Sequence, residues 1–365
     1  MKLFSEMLNK GINNAGIECE IWRPSVFFGH FSKSANKGLG KWLGYLDKWI
    51  LYPVVLKMCL LKTKYNHAEI RFHICDHSNS PYLAYLPSAR TAITCHDVLA
   101  IRGALGFRDA YCNASGLGII LQKWILKNLL KAEKLAAVSH LTLKQLKALS
   151  NSTDSKPTDW QVIHNAFNQE FNPIPKTIAE QKVQTLGLPA NTPFILHLGS
   201  SLKRKNRKLL LDMVVELGDG WNGIVCFAGD GIDADLGEHI NKLGLQNRVK
   251  SVIKPSHENI LALYSACEAF VFPSFSEGFG WPVIEAQACG AVVIASNIEP
   301  MPEVSGGAAL HENPDKPADF ARAFLFLQNG SVKHDLVSKG FENCKRFSSK
   351  KMADAYLSLH NLERK

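Results

Sequence analysis

Between Pro193 and Ser296 the chain repeats one unit, a short apolar run followed by a stretch with apolar residues at helical spacing. "PFILHLGS" (193–200), "GIVCFAGD" (223–230), "RVKSVIKP" (248–255), "EAFVFPS" (268–274) and "AVVIAS" (291–296) read as strands. "NRKLLLDMVVEL" (206–217), "LGEHINKLGL" (236–245), "HENILALYSA" (257–266) and "VIEAQACG" (283–290) read as the helices between them. Strands that are apolar almost throughout need cover on both faces, which five parallel strands with crossover helices provide. The unit therefore predicts a doubly wound α/β domain over 190–345.

A weaker version of the rhythm precedes it. "IECEIW" (17–22), "EIRFHIC" (69–75), "TAITCHD" (91–97), "KLAAVS" (134–139) and "WQVIHN" (160–165) read as strands of a second parallel sheet, with "GLGIILQKWILKNLLKA" (116–132) as a covering helix. This predicts an N-terminal domain over 1–175. The stretch 172–192, with prolines, polar residues and one short helical pattern, reads as the connection between the domains. The 365 residues suit two domains of this size.

Composition narrows the function. Hydrophobic residues at 46% and charged residues at 21% fit an ordinary globular chain. The nine cysteines are scattered and contain no C-x-x-C pair, which argues against disulfides and a zinc cluster and for a reducing, cytoplasmic setting. The N-terminus lacks the layout of a secretory signal, so the sequons at Asn113, Asn151 and Asn329 are expected to carry no glycan. A net charge of +9 suits phosphorylated substrates or an anionic membrane. Without a base-reading helix or an aromatic strand of the RNA-binding kind, no nucleic-acid partner is expected. The segment 39–65, with Trp42, Trp49 and Tyr52 among lysines, is too interrupted by Lys48, Pro53 and Lys57 to span a bilayer. It reads either as a membrane-surface face or as a helical insertion packed on its own domain.

The chemistry concentrates in "SEGFGWPVIEAQACG" (276–290). In open α/β sheets, ligands sit beyond the carboxyl ends of strands, where Glu277 would follow "EAFVFPS". Gly278 and Gly280 permit close backbone approach, and Pro282 suits the first turn of the next helix, which carries Glu285. Amide groups at a helix start favour an anion, while two carboxylates accept hydrogen bonds from hydroxyls. A phosphorylated sugar satisfies both demands.

The pattern E-G-F-G-x-P-x-x-E resembles the E-x7-E motif of glycosyltransferase family 4, retaining enzymes of the GT-B fold. "LHLGSSLKRKN" (196–206), "FAGDG" (227–231), "MPEVSGGAALHENPDKP" (301–317), "ITCHD", "AAVSHLT" and "VIHNAF" are similar to further landmarks of that family, so the resemblance spans nearly the whole chain. It implies two Rossmann-like domains facing across a cleft and transfer of a sugar from a nucleoside diphosphate donor to a glycan or lipid-linked acceptor hydroxyl, with retention of configuration, in polysaccharide or glycoconjugate synthesis. By position, Glu277 lies near the donor sugar and Glu285 at the ribose. Gly278, Phe279 and Gly280 line the sugar diphosphate, and Arg204 and Lys205 carry its charge. Gly199 and Ser200 belong to the strand-end loop, where many relatives have arginine in place of Ser200. His96 would project from a strand end toward the donor sugar, with Asp97 a less certain neighbour.

No metal or other cofactor is expected, because "DAD" (233–235) reads as a helix start and not as a metal-binding D-x-D. The competing readings are a nucleotide-sugar epimerase or hydrolase and a nucleotide-sugar-binding subunit without turnover. The resemblance also implies a strand ahead of "KLFSEMLNKGINNAG", so the first strand of the N-terminal domain is expected to be missing from these residues. The last segment, 346–365, is expected to be a helix returning toward the N-terminal domain, and the protein to work in the cytoplasm or at the inner face of the membrane.

Overall fold

A computed structural model of the protein describes residues 2–24, 27–28, 39–150 and 159–364. Asn151 and the side chain of Trp42 lie outside the described residues. Two parallel sheets organise the chain. The first has four strands in the order β1 (Phe72–Ile74), β2 (Thr91–Cys95), β3 (Lys134–Ala137) and β4 (Asp159–Val162). The second contains β5 (Phe194–Gly199), β6 (Ile224–Gly229), β7 (Val249–Ile253), β8 (Ala269–Phe272), β9 (Val293–Ser296) and β10 (Leu310–Glu312), in the spatial order β10-β9-β8-β5-β6-β7. Strand order reverses between β5 and β8, so a crevice opens beyond their carboxyl ends.

The period of two along each strand sorts side chains onto two faces. In β5, Phe194 and Leu196 join Cys226, Phe270 and Val293 on one face, while Ile195 joins Val225, Val271 and Ile294 on the other. In β2, Ile93 and Cys95 face a core containing Tyr52, Leu56, Tyr82 and Leu129. Ala92 faces the opposite way, with Ala136 and Ile163, onto Phe4, Met7, Met352 and Tyr356. The helices Lys2–Asn13 and Ser349–Leu359 together cover that second face, and the Tyr356 hydroxyl meets Thr94 Oγ1 at 2.9 Å.

Three local readings are corrected. "IECEIW" forms no strand, because its backbone is taken up by side chains: Asn13 Oδ1 accepts from the Cys19 N–H and Asn9 Nδ2 donates to the Cys19 carbonyl. The C-terminal sheet has a sixth strand, β10, a three-residue edge strand too short to register as an apolar run. The stretch 172–192 is more than a connection: the short helix read there, Lys176–Thr185, buries Ala179 and Val183 and packs on the helix His257–Ala266.

Segment 39–65 is helical over Leu39–Leu46, Tyr52–Leu60 and Thr63–Asn66, with a wider π-helical turn at Asp47–Leu51. Its Tyr52 and Leu56 are buried in the N-terminal core, and Trp49 stacks near Tyr82 and Trp124, so these two aromatics face inward and do not form an outer aromatic face. Among the described residues no helix is long and apolar enough to cross a membrane.

Candidate active site at the glycine loop

The crevice between β5 and β8 holds a buried cluster of charge. Arg204 and Lys205 lie in a single helical turn after β5, and Glu277 lies in the loop after β8. Arg204 Nη1 contacts Glu277 Oε2 and Lys205 Nζ contacts Glu277 Oε1, both at 2.7 Å. Glu277 and Lys205 are buried, and Arg204 is mostly so. Burial alone would push the Glu277 carboxyl upward, but the Lys205 and Arg204 charges outweigh it and hold the group below its ordinary range. Burial pulls the Lys205 ammonium down, opposed by Glu277. Lys205 also lies 4.7 Å from the centroid of Phe272, within cation–π range. Arg204 Nη1 donates to the Ser276 carbonyl at 2.9 Å, and the Phe275 N–H donates to the Arg204 carbonyl at 2.8 Å, which splices the two loops together.

Glu285 sits in the helix Trp281–Ala288 with Pro282 in its first turn. It is buried, and its Oε2 accepts from the Tyr264 hydroxyl at 3.2 Å. Burial raises its carboxyl to about 7, with the Tyr264 hydrogen bond and the Lys205 charge acting in the opposite direction. Lys205 therefore exerts its field on both glutamates, and one carboxylate is fully ionised at neutral pH while the other is half-protonated.

The glycines have separate reasons. A side-chain carbon on Gly278 would fall 2.0 Å from the His96 carbonyl oxygen, so only glycine admits the β2 end of the N-terminal domain. The Gly278 carbonyl in turn accepts from Ser139 Oγ at 2.7 Å and Thr142 Oγ1 at 3.3 Å, both beyond β3. Gly280 has φ of +100° and lies close against Met301. Phe279 is buried near His164 and Phe347, at the seam between the domains.

His96 reaches this loop through its main chain, and its imidazole turns elsewhere. Nε2 donates to the Cys75 carbonyl at 3.0 Å and the ring meets Phe4 edge-on at 4.5 Å. Burial lowers its pKa to about 4, so the ring is neutral, with Nδ1 as the acceptor nitrogen. Asp97 Oδ1 accepts from the Leu99 N–H at 3.0 Å. Gly199 ends β5, its carbonyl accepting from the Asp230 N–H at 3.1 Å, and Ser200 follows in the loop beside Ser201, whose N–H donates to Asp230. Asp233 caps the helix Ala234–Lys242 by accepting from the Leu236 N–H, as read from "DAD".

Several residues at the site escaped the sequence reading. Tyr264 lies inside an apolar helical pattern that carries no polar signal. Ser139 and Thr142 stand in "AAVSHLT", quoted as a landmark without a role. Asn206, which closes "KRKN", bridges the loop after β8 to the Pro314 carbonyl through Nδ2.

Residues 179–342 match the model of the family described as glycosyl transferases group 1. The matched stretch carries Arg204, Lys205, Glu277 and Glu285, so the similarity to that family falls on the residues of the crevice. The chain is 41% identical over 92 residues to the O-antigen chain mannosyltransferase B of Escherichia coli, a match covering 25% of this chain and 24% of that one. It is 26% identical over 282 residues to the O-antigen chain mannosyltransferase RfbU of Salmonella typhimurium, covering 77% and 70%. The structure of Anabaena HepE in complex with UDP and glucose superposes with a TM-score of 0.67 at 17% identity, covering 96% of this chain and 88% of that one. The fold is thus GT-B, two parallel-sheet domains of the Rossmann kind.

Glu277→Gln leaves Arg204 and Lys205 buried without their counter-charge. It is expected to destabilise the ligand-free protein by about 3 kcal/mol. A nucleoside diphosphate, which supplies negative charge to the same cations, should then raise the melting temperature of the variant more than that of the wild type. Thermal melts with and without GDP and UDP check this, and an unchanged ligand-free melting temperature would contradict the ion-pair geometry.

Proposed function

We propose that the protein is a retaining glycosyltransferase that moves a hexose, and by the names of its relatives a mannose, from a nucleoside diphosphate donor to a glycan or lipid-linked acceptor hydroxyl. The observation that carries this reading is the buried group of Arg204, Lys205 and Glu277 at the β5–β8 crevice. It contains two cations for one carboxylate, so the crevice holds an excess of positive charge that a diphosphate neutralises. Glu277, displaced from the cations by the phosphates, becomes the acceptor for sugar hydroxyls, and Glu285 the acceptor for ribose hydroxyls.

In the transfer step the acceptor oxygen bonds to the anomeric carbon as the bond from that carbon to the phosphate oxygen breaks. The electron pair stays on the leaving β-phosphate, whose charge Lys205 and Arg204 stabilise. The same phosphate oxygen takes the acceptor proton, which places attack and departure on one face and retains configuration. His96, expected from the sequence to approach the donor sugar, instead meets the loop through its main-chain carbonyl at Gly278, and its neutral ring, held by the Cys75 carbonyl, is not an acid of the reaction. The reaction is expected to need no metal or other cofactor at the glycine loop, and the setting in a cell to be cytoplasmic.

Incubation with GDP-mannose, UDP-glucose and related donors, with and without a mannose-terminated acceptor, tests the proposal. The expected result is acceptor-dependent transfer with the donor's anomeric configuration in the product by NMR, abolished in Glu277→Ala. Donor consumption without acceptor would favour a hydrolase or epimerase, and binding without conversion a non-catalytic subunit.

Glu285 gives a pH signature. Its carboxyl titrates near 7 in the free protein, and the ionised form is the better acceptor for ribose hydroxyls. Nucleotide affinity should therefore rise as pH increases through about 7 and level off above it. Calorimetric titration with GDP across that range measures this, and Glu285→Gln should flatten the profile; a wild-type profile that is itself flat would remove Glu285 from the nucleotide site.

The acceptor is proposed to be presented at an anionic membrane. Ile50, Val54, Met58 and Leu61 are exposed at intervals of one helical turn, and Leu117, Ile120 and Trp124 are exposed on the helix Gly116–Leu129, which meets the same segment where Trp49 and Trp124 rings lie 5.0 Å apart. Lys57, Lys62 and Lys64 lie along the stripe in sequence. Such a face suits shallow insertion beside anionic headgroups. Sedimentation with phosphatidylglycerol vesicles should carry the protein down at low salt, less so at high salt, and much less for Val54→Glu with Met58→Glu. Equal sedimentation of wild type and double variant would overturn the assignment of this face.

A further inference from the structure

A second polar cluster lies at the domain seam, beside Phe279 of the glycine loop. His140 begins the helix His140–Ser150 after β3, His164 follows β4, and Glu303 lies in the turn Met301–Ser305 of the C-terminal domain. One ligand atom from each, an imidazole nitrogen from His140 and His164 and a carboxylate oxygen from Glu303, all lie within 4.8 Å of one another. His140 Nδ1 is 2.9 Å and His164 Nε2 2.6 Å from the same oxygen, Glu303 Oε1. The geometry points to a binding site for a divalent transition metal of the zinc class that ties the two domains together.

The ligand chemistry fits. Two imidazoles and one carboxylate are a donor set that zinc and its neighbours take up, with a fourth position left to water. Ligand atoms 2.0–2.1 Å from a tetrahedral ion stand roughly 3.3 Å apart, so an ion enters if the two nitrogens and Oε1 separate by about half an ångström. Each imidazole then adopts the tautomer with its lone pair on the ligating nitrogen.

The surroundings hold two of the three ligands in place, as metal sites require. Both oxygens of Glu303 accept from the His140 N–H, at 3.1 and 3.0 Å, and the Glu303 carbonyl accepts from Arg346 Nη1. The Glu303 carboxylate is thereby fixed in orientation by the His140 main chain and by both imidazoles. The His164 ring lies against Phe279 and Phe347. The His140 side chain is 73% exposed and provides the entry path. Because two ligands belong to the N-terminal domain and one to the C-terminal domain, a bound ion joins the domains one residue from Ser139, which grips the Gly278 carbonyl. The proposed ion is structural and stands against the sequence expectation that the protein holds no metal.

Cobalt(II) is the probe that separates this cluster from the nine free thiols. Titrated into the chelator-treated full chain at pH 8, it should give d–d absorption of a nitrogen and oxygen site without a sulfur-to-cobalt charge-transfer band, at one ion per chain. Loss of a partner that only orients a ligand costs about 10- to 100-fold in metal affinity, so His140→Ala and Glu303→Gln should each weaken binding by at least about tenfold. His140 is exposed, so its replacement leaves the core intact. Absence of the d–d signal, a thiolate band in its place, or unchanged affinity in either variant would overturn the proposal and leave the cluster a hydrogen-bonded latch only.

Discussion

Three buried charges in one crevice set the terms for the rest of the structure. Taking ions out of water costs several kcal/mol each, and close pairing returns that cost only when every partner stays in place. Glu277 therefore does more than wait for a sugar, since in the free protein it is the counter-ion that allows Arg204 and Lys205 to be buried at all. Among these three charges the cations outnumber the carboxylate by one. Phe272 under Lys205, the neutral His197 behind it, and the loop-to-loop hydrogen bonds from Arg204 keep the cations in place.

The second domain enters the site through backbone rather than side chains. The β2 end abuts Gly278, and hydroxyls beyond β3 hold the Gly278 carbonyl, so the loop that carries Glu277 is clamped from both domains. The same seam carries the His140, His164 and Glu303 cluster and the aromatic contacts of Phe279. The loop that carries the buried charges and the contacts that join the two domains are thus one and the same segment.

The C-terminal domain was largely legible in the sequence because its signals are local. Strands buried on both faces leave unbroken apolar runs, Gly and Pro mark the loop and helix start, and the spacing from Glu277 to Glu285 is short enough to read directly. What depends on tertiary contact was not legible. Nothing in "ECEIW" reveals that Asn9 and Asn13 will take its backbone groups, and nothing in "HENILALYSA" reveals that Tyr264 points at Glu285. The aromatic residues Trp49 and Tyr52 suggested an outer face, yet large rings at helical spacing fit a core equally well, and the exposed stripe falls on Ile50, Val54, Met58 and Leu61. His96 was found by its place at a strand end, but the direction of its ring depends on the Cys75 carbonyl of another strand.

The helix Ser349–Leu359 has a consequence for how the protein comes into being. It crosses back from the C-terminal domain to place Met352, Tyr356 and Leu359 on the face formed by Phe4, Ala92, Ala136 and Ile163. During synthesis the N-terminal sheet leaves the ribosome first, with that face covered by the helix Lys2–Asn13 alone until the C-terminal domain has been made. The rest of its cover arrives only afterwards, so the packing of the N-terminal domain is completed last.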